Sequence, residues 1–194
     1  MSASKYEFLE WHKLNALIRA DLITMIEGVR QGAKIELWKL ERISPLYFLQ
    51  QKPLLEYCAE KLALSLKEHD GAYYVSRDTA TLNRLWSGEI KKEGEFLGYP
   101  SCCITAFEVG CKKSMTEGPE WGPAVQFWRK MEQCSNPLFG YVLHVPCDVL
   151  CAATLATAGV VKDVLEKHDI GAAVALAEFN KNSFYEFHCR YPKK

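Results

Sequence analysis

Four of the eight cysteines in this 194-residue chain fall in two short segments. One is Pro100-Ser101-Cys102-Cys103; the other is Pro146-Cys147-Asp148-Val149-Leu150-Cys151. Each places cysteine just after a proline, the order expected where a helix begins. Helix N-termini carry free N–H groups and partial positive charge, which favour thiolate over thiol. Thiolates are what metals and electrophiles require. Read as helix, Cys147 and Cys151 lie at i and i+4 on one face, about 6 Å apart along the axis. That spacing suits two ligands of one metal or cluster. Cys103 and Cys111 also share a face, but about 12 Å apart, too far for one ion. Cys111 therefore reads as packing, as do Cys58 and Cys134. Cys189, beside His188, approaches the site only if the C-terminal tail folds back.

The spacing also bears on the metal. Structural zinc usually takes pairs of ligands from tight knuckles, and adjacent helical residues point about 100° apart. Cys102 and Cys103 are thus expected not to face one ion together. Iron–sulfur clusters take thiolates from wider separations. The expectation is a four-iron, four-sulfur cluster held by one of Cys102 and Cys103, with Cys147 and Cys151, leaving one iron open. Cys103, in line with apolar Phe107, is the favoured inward ligand. Cys102 is left as a reactive thiolate, with His144 and Asp148 nearby for acid–base work. Such a site fits an enzyme moving sulfur onto a small molecule, a nucleoside or a sugar, served by a sulfur-donor or electron-transfer protein. A zinc or cluster module that mediates protein interaction is the alternative, and a thiol sensor with a vicinal Cys102–Cys103 disulfide is a third. The chain has no Walker loop or dinucleotide fingerprint.

The pair Leu97-Gly98-Tyr99-Pro100-Ser101-Cys102-Cys103 and His144-x-Pro146-Cys147-x-x-x-Cys151 resembles an uncharacterised prokaryotic domain-of-unknown-function family. The likeness extends to Val75-Ser76-Arg77-Asp78 and covers roughly Tyr73 to Ala158. It implies a motif-bearing core of about 73–158. It also implies serine in relatives where Asp148 stands and another near Thr154. The resemblance brings no reaction with it.

Around these segments the composition is that of a soluble globular protein, 48% apolar and 25% charged. Twenty-four basic and twenty-four acidic residues cancel, so a general attraction to nucleic-acid backbones is excluded. Charges at Lys5, Glu7 and Glu10 argue against a signal peptide. The uncharged runs Cys134–Cys147 and Val149–Val161 are too short to span a bilayer. The expectation is a cytoplasmic, single-domain protein over 1–194, mainly α with minor β, its site at two helix N-termini. A long helix is expected over about 5–31, opened by Ser4-x-x-Glu7, with Leu14, Leu17, Ile18, Leu22, Met25, Ile26 and Val29 as its stripe. A strand is expected over 33–40, a helix-start signal at Ser44-Pro45, and a better helix from Pro53, with Leu54, Cys58, Leu62 and Leu66 on one face, ended by Gly71. Then come a strand at Ala72–Ser76, a helix capped by Asp78 through Trp86, and a solvated loop at Glu89–Glu95. A helix follows to about Lys113, then an amphipathic one over Trp121–Cys134 and an extended run at Leu138–Val145. The last elements are a helix from Pro146 to about His168, one over Ile170–Asn180, and an aromatic tail. Trp121, Phe127, Trp128 and Phe139 read as core.

Overall fold

The computed structural model describes residues 5–37, 44–89, 92–131 and 136–190. Ser4, Cys134 and residues 38–40 of the expected strand lie outside them. At 184–190, Cys189 included, the backbone alone is described. Among the described residues are nine α-helices and one three-stranded sheet, the mainly α, minor β composition expected. None of these helices is long and apolar enough to cross a membrane. Packing divides the chain into two compact units, Met1–Gly98 with Val164–Ala172 and Tyr99–Asp163 with Ala173–Lys194.

In the first unit, the expected N-terminal helix is two helices, α1 (Leu9–Lys13) and α2 (Ala16–Ile26). Asn15 breaks it. Its side-chain oxygen accepts the Leu17 N–H at 2.9 Å, and its own N–H donates to Gln51 Oε1 at 2.6 Å. Asparagine competes for backbone donors in this way and favours caps over helix interiors. Ile18, Leu22 and Met25 are buried as the stripe requires, and so are Ala20, Ile23 and Thr24. α2 is therefore enclosed on most sides.

β1 (Gly32–Ile35) follows, and α3 (Pro45–Lys61) starts where Ser44 Oγ accepts the Tyr47 N–H. The helix expected from Pro53 to Gly71 already begins at Pro45, and it stops early because Ala63 takes a left-handed φ of 53°. β2 (Ser65–His69) and β3 (Ala72–Ser76) then form an antiparallel hairpin. Its turn is Asp70-Gly71, both at positive φ (49° and 73°), the pair a type I′ turn demands. β3 is central, with β1 on its other edge, and all its residues are buried. Asp78 caps α4 (Thr79–Trp86) through the Thr81 N–H at 2.7 Å, as expected.

The segment read as a solvated loop contains a short helix, α5 (Glu93–Phe96). Its Phe96 ring is fully buried against β1. A Cβ on Gly32 would stand 2.0 Å from Phe96 Cζ. Gly32→Ala should therefore displace the ring and destabilise the protein by at least about 1–3 kcal/mol, the usual cost of overpacking. Urea unfolding measures this, and Gly32→Ala with Phe96→Leu should recover part of the loss.

The second unit holds α6 (Ser101–Glu117), α7 (Pro123–Met131), most of α8 (Ala152–His168) and most of α9 (Ile170–Arg190). Its core is Phe127, Phe139, Val142 and Ala158, with Trp128, Met131 and Leu155 packed around them. Trp121 is not core. It sits half-exposed in a 3-10 turn, with the Lys113 ammonium 3.4 Å from its ring centre. The run expected to be extended opens with another 3-10 turn, Pro137–Tyr141, begun by Asn136 accepting the Leu138 N–H. Asn180 on α9 then fastens that run by donating to the carbonyls of Gly140 and Val142 at 2.9 and 3.0 Å.

Candidate metal centre

The first pair of sulfurs stands at the start of α6. Pro100 keeps an extended backbone, and its carbonyl accepts the N–H groups of Cys103 and Ile104. Cys102 and Cys103 therefore occupy the first helical turn. The expectation that only one of them reaches the site is corrected by the structure. Their sulfurs are 3.9 Å apart, and lie 3.7 and 3.8 Å from Cys151 Sγ. Adjacent helical residues diverge at Cβ, but staggered rotamers about Cα–Cβ let both sulfurs reach one side.

The second pair comes from a turn, not from a helix. α8 begins at Ala152, so the i, i+4 reading of Cys147 and Cys151 is overturned. Asp148 is the cause. Its Oδ1 accepts the Leu150 N–H at 3.0 Å and its carbonyl accepts the Cys151 N–H at 3.2 Å. This Asx-type turn takes over backbone donors that a helix would have used. Cys151 becomes the residue before the helix, its carbonyl accepting the Leu155 N–H at 3.0 Å. The two cysteines still converge, because the turn folds the chain back instead of winding it forward.

All four sulfurs, of Cys102, Cys103, Cys147 and Cys151, lie within 4.8 Å of one another. None is in a disulfide. Cys103 is 2% exposed, Cys147 and Cys151 are half-buried, and Cys102 faces solvent. The environment splits their acidities. Burial pushes the Cys103 thiol up, partly offset by hydrogen bonds from Thr154 and the Cys147 N–H. Burial and the neighbouring thiols push Cys147 up as well. Burial also opposes ionisation of Cys151, but hydrogen bonds from the Thr154 hydroxyl and N–H outweigh it and bring that thiol to about 6. The starts of α6 and α8 both meet at the cluster, so two helix dipoles favour negative charge there.

His144 is partly buried and stacks on Tyr99, ring centres 4.9 Å apart. Burial lowers its imidazole to about 4, so it is neutral at pH 7 and carries no imidazolium proton. Its Nε2 lies 3.0 Å from Thr154 Oγ1, which is 3.2 Å from Cys103 Sγ. Asp148, expected as an acid–base group, shapes the turn and pairs with Lys130 at 3.0 Å. The Leu150 N–H and Lys130 hold its carboxyl below the ordinary value. Thr154, marked in the sequence only by the resemblance, is not among the expected site residues. The available signal was its place three residues after Cys151, where a capping partner stands.

Four convergent thiols at two helix starts can hold a metal ion or an iron–sulfur cluster. Comparison with known protein families, with curated proteins and with solved structures found no match for this chain.

Proposed function

We propose that the second unit is a metal-binding module in which Cys102, Cys103, Cys147 and Cys151 hold one zinc ion. The sulfur spacing carries the reading. Zinc–sulfur bonds of about 2.3 Å in a tetrahedron put the sulfurs about 3.8 Å apart. The separations among Cys102, Cys103 and Cys151 are 3.7, 3.8 and 3.9 Å. In a four-iron cluster each thiolate binds a different iron, so the ligand sulfurs spread wider than one ion's tetrahedron. The fit extends to charge, because four thiolates on a divalent ion leave a net negative centre that the two helix starts favour. The ion would fasten the start of α6 to the turn before α8, organising the surface on which Cys102 is exposed. That surface suits the interaction-module reading.

One observation favours a second reading, an iron–sulfur enzyme that transfers sulfur to a small molecule. Cys102 is exposed and Cys147 and Cys151 are only half-buried, so one side of the thiol group is open to a substrate or a sulfur donor. Metal and acid-labile sulfide counted per chain, after anaerobic, iron-replete expression, separate the two. One zinc per chain, no sulfide and a colourless protein are expected. Stoichiometric iron with sulfide and a brown colour would replace the zinc reading with the cluster enzyme.

A further inference from the structure

We propose that His144 and Thr154 form a one-way hydrogen-bond relay that clamps the Cys103 sulfur, with Thr154 as its positioning residue. The inference rests on the metal reading above, since a bound thiolate has no proton to give and so sets the direction of the relay.

Thr154 is a polar side chain only 1% exposed, and a buried hydroxyl needs partners. It touches Cys103 Sγ at 3.2 Å and His144 Nε2 at 3.0 Å, and its hydroxyl also reaches the Cys151 thiol, so its one proton serves the sulfur side of the site. A hydroxyl has one proton to donate and lone pairs with which to accept. Against a metal-bound thiolate, Thr154 must donate to sulfur. Its oxygen must then accept from His144, which places the single proton of the neutral imidazole on Nε2 and leaves Nδ1 bare. The Tyr99 ring, stacked at an interplanar angle of 30°, packs on the imidazole face and limits its rotation. Cys103 also accepts the Cys147 N–H at 3.4 Å. The most buried sulfur thus receives two donors where water cannot reach it, while exposed Cys102 meets solvent. Groups that orient metal ligands from outside usually matter about 10–100-fold in affinity. Valine has nearly the shape of threonine, so Thr154→Val removes the relay and spares the packing.

The test uses the full chain loaded with zinc, and separately with cobalt(II). Affinity is measured by competition with a chromophoric chelator, the His144 tautomer by long-range nitrogen–proton NMR, and sulfur donation by the sulfur-to-cobalt absorption band. The expected results are a proton on His144 Nε2 and a 10–100-fold loss of affinity in Thr154→Val. The cobalt band should move to lower energy in that variant, and Thr154→Ser should restore both properties. His144→Gln, whose amide can still donate, should stay closer to wild type than His144→Leu. A proton on Nδ1, or wild-type affinity and spectrum in Thr154→Val, would overturn the relay. If Thr154→Val does not fold, the tautomer in the wild-type protein decides. Wild-type protein that binds neither ion overturns the metal reading and the relay with it; that failure is distinguishable because it precedes any variant.

Discussion

Replacing Cys103 with alanine should reduce the bound metal from one ion per chain to almost none and lower the melting temperature sharply. Three features of its position make this the most damaging cysteine substitution. Its sulfur is within 3.9 Å of two of the other three. It is the best buried of the four, and it accepts hydrogen bonds from Thr154 and Cys147 that alanine cannot replace. A structural zinc site contributes on the order of 10 kcal/mol in small metal-dependent domains. Loss of the ion should therefore cost the second unit much of its stability. Cys111→Ala is the control, because Cys111 lies on the same helix but outside the cluster. Metal analysis and melting curves with and without a chelator decide the matter. Metal retained by Cys103→Ala, or lost from Cys111→Ala, would refute the assignment of ligands.

The second large effect is expected in the first unit, from Asp169→Ala. Asp169 and Arg19 pair at 2.7 Å, with side chains only 10% and 11% exposed. The same carboxylate accepts the Trp11 indole N–H at 3.3 Å and caps the start of α9 through the Ala172 N–H at 2.9 Å. Alanine would leave the Arg19 charge largely buried without its partner and the indole donor without an acceptor. Breaking a buried pair from one side costs about 3–5 kcal/mol. Asp169→Asn should cost less, since its oxygen still caps.

Burial opposes ionisation of Asp169, but the Arg19 guanidinium and the Ala172 N–H override it and hold the carboxyl below its ordinary value. A group depressed on folding stabilises the native state above its unfolded pKa, about 3.9 for aspartate. That contribution disappears as pH falls through the folded value. The gap in urea midpoint between wild type and Asp169→Ala should therefore be full at pH 7 and shrink below about pH 4. A gap independent of pH would show that the cap and packing, not the charge, account for the loss.

Much of the local structure was legible in the sequence. The Asp78 cap, the strand at Ala72–Ser76 and the helix after Pro100 all stand as read. In each case the signal is local: a capping side chain, a β-rich run, or a proline with its carbonyl free to accept. The errors came where a polar side chain took a backbone donor away from a helix. Asn15 split the N-terminal helix in this way, and Asp148 turned the Cys147–Cys151 segment out of helix. β2 was missed because the apolar stripe of α3 runs on in register past the left-handed Ala63. No pattern of apolar spacing records a single φ.

The sequence by itself determined which atoms are available for chemistry. Four cysteines in two proline-led segments, with no net charge and no nucleotide fingerprint around them, already pointed to a thiolate site at helix starts. It also determined which cysteine to leave aside, since Cys111 is two turns away along its helix. What only the tertiary structure decided is how the four sulfurs meet. Helix rules act along one axis and predicted that Cys102 and Cys103 diverge and that Cys147 and Cys151 align. The outcome was set instead by side-chain rotation and by an Asx-type turn, which bring all four sulfurs within 4.8 Å. The spacing that separates a single ion from a cluster exists only between segments some forty residues apart. So does Thr154, set between His144 and Cys103. Distances of that kind depend on packing across the unit, which the order of residues constrains but does not state.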